Sequence, residues 1–322
     1  MAHHSPKVLL LSSCTEAQAD ALRKQVPEAE ILHVTRREDA EQHLHDVNVI
    51  AGFIGYQMID NMLDGDHQLE WIQTWSAGVN NYPLDRLYEE GIMITNASGV
   101  HNEQISEVII GSMIGLARRF PEMVRDQAER RWNQYSELET IHGKTMTILG
   151  AGSIGKETAR LGKAFGMHVK GLNSSGNSVE CFDEMGKFED LSDLLEASDY
   201  IVNILPESEQ TAHMINAETI AMMKDGAYYI NVGRGKTTDT QALMEALDSG
   251  KLKGAALDVF EEEPLPEDHP LWEYRNVMIM PHVAGNDVRY NEKALKIFGE
   301  NLRAYVDTGK PAINLVEEAK GY

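Results

Sequence analysis

The sequence predicts an α/β fold made of two doubly wound parallel-sheet domains, and three observations lead to this prediction. Apolar runs of strand length alternate with amphipathic stretches of helical length along the chain. This alternation forms two separate series, with a long helical pattern between them. A glycine-rich loop occurs in the second series and not in the first. Strands that alternate with helices form parallel sheets through right-handed crossovers, so each series predicts one domain.

The first series fills the first hundred residues with five predicted strands separated by four amphipathic stretches. The predicted strands are Val8–Leu11, Ile31–Val34, Val47–Phe53, Trp71–Trp75 and Ile92–Thr95. The amphipathic stretches between them are Glu16–Lys24, Arg37–Leu44, Gln57–Met62 and Leu84–Glu90. A five-strand unit of this kind indicates a flavodoxin-like strand order.

The long helical pattern runs from Asn102 to Glu129, with Asn102 as its predicted cap and Pro121 as a break or kink. The second series has predicted strands at Thr145–Leu149, His168–Leu172, Tyr200–Ile204, Tyr228–Val232, Ala255–Val259 and Val277–Met280. A closing helix is predicted over Glu292–Val306. We therefore predict one domain from residues 1–98 and 291–322, with a second domain, residues 99–290, inserted into it.

Composition and charge limit the possible functions. The 322 residues are 42% hydrophobic and 25% charged, which suits two globular domains with sizeable cores. The formal net charge of −22 argues against nucleic acid as a partner, because phosphate binding needs a basic face. No apolar run reaches the roughly 18 residues of a membrane span, and no signal peptide is apparent. Cys14 and Cys181 lack metal-ligand spacing, so we expect a cytoplasmic protein without a catalytic metal.

A glycine loop, Gly150-Ala-Gly-Ser-Ile-Gly155, lies between a predicted strand and a predicted helix, Lys156–Phe165. Gly150 permits the tight turn, Gly152 allows a pyrophosphate to approach the backbone, and Gly155 allows close packing of helix on strand. The helix N-terminus presents free N–H groups to the phosphates. This context predicts a dinucleotide-binding Rossmann domain inserted in a flavodoxin-like substrate domain; a structural glycine turn is the alternative.

The end of strand His168–Leu172 bears on the choice of coenzyme. NAD-binding domains of this kind usually place a carboxylate there, which holds the ribose hydroxyls and repels a 2′-phosphate. This chain has Asn173, Ser174 and Ser175 instead. We expect NADP or NAD to bind, with NADP slightly favoured, although no arginine stands beside these residues.

Three apolar strands of the second series each lead to one ionisable residue. The strands that end near residues 232, 259 and 280 lead to Arg234, Glu263 and His282. Ligands of doubly wound sheets bind outside the carboxyl ends of the strands. An arginine, a carboxylate and an imidazole at that edge can hold a substrate carboxylate and move a proton.

Several ordered motifs make the chain resemble the D-isomer-specific 2-hydroxyacid dehydrogenase family. They are the glycine loop, Asn231-Val-Gly-Arg-Gly235, Gly254-Ala-Ala-Leu-Asp-Val-Phe-Glu-Glu-Glu-Pro-Leu-Pro266 and Pro281-His-Val-Ala-Gly285. Weaker matches at Ser76-Ala-Gly-Val79 and Asn301–Val316 extend the resemblance over nearly the whole chain. The resemblance implies hydride transfer between NAD(P)H and a small 2-oxo acid to give a D-2-hydroxy acid.

The resemblance also implies roles for the residues at the strand ends. Arg234 would grip the carboxylate and carbonyl oxygens of the substrate through its guanidinium fork. His282 would be the general acid/base, protonating the alkoxide oxygen in reduction and removing that proton in oxidation. Glu263 would be the carboxylate that stabilises the imidazolium. Asp258 would accept a hydrogen bond from the nicotinamide carboxamide, with structural capping as the alternative.

Further contacts are implied by the same resemblance. The substrate carboxylate is expected on the loop of Ser76, Ala77, Gly78 and Val79. The other expected cofactor-binding residues are Ser153, Ile154, Pro206, Thr211 and Val232. An arm around residues 100–140 implies a homodimer. Residues 52–56, Trp132, Tyr135 and Tyr290 either shape the substrate pocket or simply pack.

Alternatives stay open for both residues and function. Residues of the same type compete for two of the roles: His101, His213 and His269 with His282, and Glu261 and Glu262 with Glu263. The rival functions are a nucleotide-sensing, corepressor-like binding protein and another enzyme of the same family, such as a glyoxylate/hydroxypyruvate reductase. The chain has no room for the regulatory domain of long phosphoglycerate dehydrogenases, so that activity is less expected.

Overall fold

The protein folds into two compact units, seen in a computed structural model that describes residues 5–52, 55–76, 78–79 and 82–316. The first unit comprises residues 1–100 and 287–322, and the second comprises residues 101–286. That the functional domains divide after residues 98 and 290 stays a prediction.

The first unit is built on a five-stranded parallel sheet. Its strands are β1 (Lys7–Leu11), β2 (Glu30–Val34), β3 (Val49–Gly52), β4 (Trp71–Thr74) and β5 (Met93–Thr95), and its helices are α1 (Glu16–Gln25), α2 (Arg37–Glu41), α3 (Tyr56–Leu63) and α4 (Leu84–Glu89), with Tyr290–Thr308 as the closing helix. The strand order β2-β1-β3-β4-β5 confirms the flavodoxin-like prediction.

Helices cover the first sheet on both faces, which explains why its strands read as continuous apolar runs. Residues Val8–Leu11 of β1 are all buried. Trp71 of β4 packs its ring against Phe298 and Tyr305 of the closing helix, with ring centroids 5.5 and 5.3 Å apart. The closing helix thereby joins the core made by the first hundred residues.

The second unit is built on a seven-stranded parallel sheet. Its strands are β6 (Thr145–Leu149), β7 (His168–Leu172), β8 (Glu184–Gly186), β9 (Tyr200–Asn203), β10 (Ala227–Asn231), β11 (Leu252–Leu257) and β12 (Val277–Ile279), and its helices are α5 (Asn102–Ala117), α6 (Phe120–Ala128), α7 (Ser153–Ala164), α8 (Leu191–Glu196), α9 (Ala217–Met222) and α10 (Thr240–Asp248). The order β12-β11-β10-β9-β6-β7-β8 is the Rossmann order extended by one strand. The predicted fold class is confirmed.

The long helical pattern between the two series is two helices rather than one. The chain breaks at Arg118 and Arg119, and Arg119 has a left-handed backbone with φ of 58°. Pro121 follows in the first turn of α6, where a proline is tolerated because its missing N–H would have no helical partner. The cap prediction is wrong: His101 is the N-cap of α5, and Asn102 is its first helical residue.

Three observations bear on the predictions about membrane spans, cysteines and metal sites. No helix within the described ranges is both long and apolar enough to cross a membrane. Cys14 and Cys181 are free cysteines. Among the same residues, no group of three or more histidine, cysteine, aspartate or glutamate side chains is arranged to hold a metal ion.

Candidate active site

The second unit gathers the predicted residues at the carboxyl edge of its sheet. Arg234 follows β10, Asp258 and Glu263 follow β11, and His282 follows β12. These three strands are neighbours in the sheet, so loops far apart in sequence meet at one edge. The edge therefore carries a cation, two carboxylates and an imidazole.

His282 and Glu263 form a hydrogen-bonded pair. Nδ1 of His282 lies 2.7 Å from Oε2 of Glu263. The other carboxylate oxygen, Oε1, accepts from the backbone N–H of Phe260 at 3.0 Å. Partial burial acts to raise the pKa of Glu263, but the hydrogen bonds from His282 and Phe260, with the positive charges of His282 and Arg234, lower it below its usual value. Glu263 is therefore ionised at neutral pH.

The pairing of Nδ1 leaves the opposite ring nitrogen of His282 for proton transfer. Nε2 of His282 has no hydrogen-bond partner among the described residues. The side chain of His282 is 53% exposed. A carboxylate on one ring nitrogen fixes the orientation of the imidazole and stabilises its charged form. The pair has the arrangement expected of a general acid/base.

Asp258 anchors the loop that carries His282. It is buried, and its two carboxylate oxygens accept from the backbone N–H groups of Val283 and Ala284 at 2.9 and 3.0 Å. Its backbone carbonyl accepts from the N–H of His282. Burial raises the pKa of Asp258, although the two backbone hydrogen bonds oppose that effect. These bonds hold His282 in a left-handed conformation, with φ of 53°.

The turn that carries Arg234 packs tightly on the Glu263 loop. A Cβ atom at Gly235 would lie 1.8 Å from the carbonyl oxygen of Phe260, so only glycine permits this approach. Phe260 is also the residue whose N–H binds Glu263. Arg234 is exposed, and its Nη1 donates to the carbonyl of Gly233. Because of this contact, the positive charge of Arg234 is near enough to lower the pKa of Glu263.

A buried polar network supports the Arg234 turn, and the sequence reasoning missed it. Thr237 donates its hydroxyl to the Arg234 carbonyl at 2.6 Å and accepts from Nδ2 of Asn203 at 2.8 Å. Asn203 also donates to the hydroxyl of Tyr229, which in turn bonds Thr238. The available signal was the polar residues at otherwise apolar strand positions, since a buried polar group needs a partner.

The glycine loop has the geometry that dinucleotide binding requires. Gly150 has φ of 112°, which permits its turn. A Cβ atom at Gly155 would lie 2.3 Å from the carbonyl oxygen of Gly150, whereas one at Gly152 would meet nothing within 4 Å. Gly152 is also the N-cap of α7, without a side-chain cap. Open space before uncapped N–H groups of Ser153 and Ile154 fits a pyrophosphate.

The residues after β7 form a compact turn. Oδ1 of Asn173 accepts from the backbone N–H groups of Ser175 and Gly176 at 3.0 and 2.6 Å, and from the Ser175 hydroxyl. The Asn173 side chain is thus engaged within the turn, while Ser174 is exposed. The Cβ and Cγ atoms of Lys187 lie beside Gly176, and the ammonium group of Lys187 lies 3.6 Å from Oε2 of Glu189. The sequence reasoning did not identify this neighbour.

The remaining expected cofactor residues lie along the same edge. Thr211 is buried and donates its hydroxyl to the carbonyl of Pro206 at 2.6 Å, which closes the loop after β9. Val232 is buried, and its N–H donates to the carbonyl of Asn203. These contacts organise the loops that border the switch point between β6 and β9.

The expected substrate loop lies in the first unit, after β4. The hydroxyl of Ser76 donates to the carbonyl of Gly78 at 2.7 Å, and a Cβ atom at Gly78 would meet nothing within 4 Å. Val79 is buried. Ala77 falls outside the described residues. The loop therefore exposes backbone at Gly78, as a carboxylate-binding loop requires.

The rival histidines make other contacts. Nε2 of His213 lies 2.8 Å from Oε1 of Glu261, so the rival glutamate pairs with His213. Nδ1 of His101 lies 3.0 Å from the carbonyl of Gly285. Nδ1 of His269 accepts from the backbone N–H of Leu271.

Comparisons with known proteins agree with this geometry. The family profile described as "D-isomer specific 2-hydroxyacid dehydrogenase, NAD binding domain" matches residues 110–284. A glyoxylate reductase of Thermofilum pendens is 32% identical over 281 residues, covering 85% of this chain and 83% of that protein. A D-isomer specific 2-hydroxyacid dehydrogenase family protein of Aeromonas salmonicida is 31% identical in its crystal structure, with a TM-score of 0.80 and coverage of 98% and 99%. A D-isomer specific 2-hydroxyacid dehydrogenase of Xanthobacter autotrophicus, solved with NADPH and MES, is 26% identical, with a TM-score of 0.80 and coverage of 99% and 100%.

Proposed function

The chain belongs to the D-isomer-specific 2-hydroxyacid dehydrogenase family, and on this premise we propose that it reduces a small 2-oxo acid to the D-2-hydroxy acid with NADPH or NADH. The observation that carries the proposal is the His282–Glu263 pair, set beside the Arg234 turn at the edge that also bears the glycine loop. The imidazole–carboxylate pair beside an arginine favours an enzyme over a nucleotide-binding protein without catalytic activity.

The proposed mechanism assigns one task to each residue. Arg234 binds the carboxylate and carbonyl oxygens of the 2-oxo acid and polarises the carbonyl group. The reduced nicotinamide, when bound, supplies the hydride to C2. His282 donates a proton from Nε2 to the developing alkoxide oxygen, so the product is a neutral hydroxyl. Glu263 stabilises the imidazolium before the transfer, and solvent returns the proton afterwards. Asp258 keeps the His282 loop in position.

The loop of Ser76, Gly78 and Val79, together with Ala77, is proposed to receive the substrate carboxylate through backbone N–H groups. The backbone at Gly152, Ser153, Ile154 and Gly155 is proposed to hold the coenzyme pyrophosphate.

We further propose dual use of the coenzymes, with NADPH preferred. No carboxylate stands among Asn173, Ser174 and Ser175 to repel a 2′-phosphate. The exposed Ser174 hydroxyl favours phosphate, although the Asn173 amide is occupied. The stem of Lys187 lies beside the turn, and we propose that its ammonium group, which lies 3.6 Å from Glu189, turns towards a 2′-phosphate. Comparison of kcat/KM for NADPH and NADH tests this, and Lys187→Gln should reduce the ratio. A strong preference for NADH would contradict it.

A panel of 2-oxo acids tests the proposed activity. Glyoxylate is the first substrate to try, because the Thermofilum pendens relative is a glyoxylate reductase. Pyruvate, hydroxypyruvate and branched or aromatic 2-oxo acids complete the panel, with NAD(P)H oxidation and chiral analysis of the product as readouts. Nucleotide binding without turnover of any 2-oxo acid would favour the corepressor-like alternative. The cytoplasmic location and the homodimer stay predictions.

A further inference from the structure

The loop that follows β4 differs in how its hydrogen-bond acceptors and donors are used. The carbonyl oxygens of Thr74, Trp75, Ser76 and Gly78 all accept hydrogen bonds from side chains of the first unit. The N–H groups of Ser76 and Gly78, by contrast, have no hydrogen-bond partner among the described residues. Ser76 is half-buried and Gly78 is exposed. Occupied carbonyl oxygens and unpaired N–H groups in one loop suit a bound anion.

Thr74 supplies the bond that fixes the centre of this loop. It is fully buried at the end of β4, and its hydroxyl donates to the carbonyl of Ser76 at 2.8 Å. The same carbonyl accepts from the backbone N–H of Ala97 at 2.9 Å. A carbonyl oxygen has two lone pairs, so both acceptor positions of the Ser76 carbonyl are in use. Two donors therefore hold the backbone of Ser76.

Ser76 carries the arrangement on to Gly78. The hydroxyl of Ser76 donates to the carbonyl of Gly78 at 2.7 Å. Two hydroxyls in succession thus each donate to the carbonyl two residues further along the chain, a local pattern that serine and threonine favour in turns. Without the first bond, the backbone of Ser76 would be held less firmly and its hydroxyl would reach Gly78 less often. A carbonyl oxygen released in this way would repel a carboxylate.

A buried polar network beneath the loop keeps Thr74 in place. Nε2 of Gln73 donates to the carbonyls of Thr74 and Asn96 at 3.1 and 3.0 Å. Oε1 of Gln73 accepts from the hydroxyl of Thr95 at 2.8 Å and from Nδ2 of Asn301 at 3.1 Å. The Gln73 amide has two donor and two acceptor positions, and all four are used. The end of β4 is therefore a firm base for the Thr74 hydroxyl.

We propose that Thr74 is a positioning residue for the 2-oxo acid: acting through Ser76, its hydroxyl keeps the loop carbonyls occupied, so that the substrate carboxylate meets N–H groups. This inference rests on the proposed function, which places the substrate carboxylate at this loop. A purely structural role is the alternative. That role predicts lower stability when the hydroxyl is removed, but no selective change in KM for the 2-oxo acid.

Thr74→Val replaces the hydroxyl with a methyl group of similar size. KM for the 2-oxo acid should rise about five- to tenfold, while kcat stays within about twofold and KM for NADPH is unchanged, because only substrate binding is weakened. Thr74→Ser keeps the hydroxyl and should retain the wild-type KM. Thr147→Val is the matched control, since Thr147 is also fully buried on a strand with its hydroxyl on a backbone carbonyl, that of Leu194. It should leave KM unchanged.

A double-mutant cycle tests whether Thr74 acts through Ser76. Ser76→Ala should raise the same KM, and adding Thr74→Val to it should raise KM no further. Additive increases would overturn the proposal, because they indicate two independent effects. An unchanged KM in Thr74→Val, a raised KM in Thr74→Ser, or an equal rise in Thr147→Val would overturn it as well.

Calorimetric titration with oxamate, an unreactive analogue of a 2-oxo acid, separates this inference from the proposed function. In the full chain with saturating NADPH, Thr74→Val should weaken oxamate binding about five- to tenfold, and Thr74→Ser should not. If oxamate binds in this pattern but no 2-oxo acid is reduced, the proposed function fails and the role of Thr74 stands. If the wild type does not bind oxamate, or Thr74→Val binds it equally well, the role of Thr74 fails whatever the activity.

Discussion

Two histidine–glutamate pairs in the second unit look alike, yet we propose a catalytic role for only one of them. His282 pairs with Glu263 at 2.7 Å, and His213 pairs with Glu261 at 2.8 Å. Both histidines have left-handed backbones, with φ of 53° and 46°. The two glutamates are only two residues apart in one loop. An imidazole–carboxylate contact alone therefore does not identify an active site.

The surroundings separate the two pairs. Glu261 also accepts from the N–H of Thr240 at the start of α10, so its pair fastens a helix to two loops. Glu263 instead lies within reach of the charge of Arg234, and the loop of its histidine is anchored by the buried Asp258. The pair that we propose to be reactive is thus distinguished from the other by a neighbouring arginine, which we propose to bind the substrate, and by a buried carboxylate that anchors the loop of its histidine.

Removing each imidazole in turn is the most direct test of whether the two pairs differ in function. His282→Gln should lower kcat for 2-oxo acid reduction by about 10²–10⁴-fold, because the proton donor is lost, while NADPH binding is retained. His213→Gln, the matched control, should change kcat less than about twofold, since an exposed ion pair contributes little. Steady-state kinetics and NADPH titration measure both. Equal losses in the two variants would remove the distinction.

Exchanging each glutamate tests the carboxylates. Glu263→Gln should lower kcat about 10- to 100-fold, because a neutral amide stabilises the imidazolium less than a carboxylate does. The pKa of Glu263 is lowered in the folded protein, so its charge is present above its usual value of 4.5 and is lost only as pH falls further. The deficit should thus persist from about pH 5 upward. Glu261→Gln should leave the pH profile of kcat unchanged.

The anchor of the reactive pair is tested by Asp258→Asn. An amide turns one acceptor into a donor that faces a backbone N–H, so either Val283 or Ala284 loses its partner. We expect a fall in kcat of about tenfold and a loss of about 1–3 kcal/mol in the free energy of unfolding. Urea denaturation and kinetics provide the two readouts. Asp239→Asn, at the N-cap of α10, is the control, because asparagine caps a helix equally well.

The smallest expected effect comes from removing the hydrogen bond that supports the turn of Arg234. Thr237→Val removes the hydroxyl that bonds the Arg234 carbonyl, and we expect KM for the 2-oxo acid to rise about three- to tenfold while KM for NADPH stays the same. Thr147→Val is the matched control, since Thr147 is also buried and bonded to Leu194 and Ser198. It should lower stability without changing KM. A similar change of KM in both variants would show that Thr237 acts only through stability.

The sequence predicts the layout of this protein better than its details. Alternating apolar runs locate eleven of the twelve strands in the part of the chain that the structure describes, because parallel strands buried on two faces are continuously apolar. Glu184–Gly186 was missed, since three residues carry no detectable pattern. Asn102 was assigned as a cap from its residue type, but the chain turns one residue earlier, at His101.

For the candidate site too, the sequence predicts which residues lie there better than it predicts their contacts. The motifs located Arg234, Glu263 and His282 because each follows a recognisable strand. The motifs did not reveal that Asn203 and Thr237 support Arg234, because such contacts depend on how side chains from different strands meet. Nor did they show that Asn173 bonds its own turn, which is a matter of local rotamers.

Gly152 and Gly155 stand three residues apart but constrain the protein in different ways. A methyl group at position 155 collides with the Gly150 carbonyl and disturbs the helix itself, whereas one at position 152 projects into empty space. With the pyrophosphate bound there as we propose, Gly152→Ala would leave the protein folded but unable to bind the coenzyme. Expressed in a cell, such a variant would separate the effects of the folded protein itself from the effects of its catalytic activity.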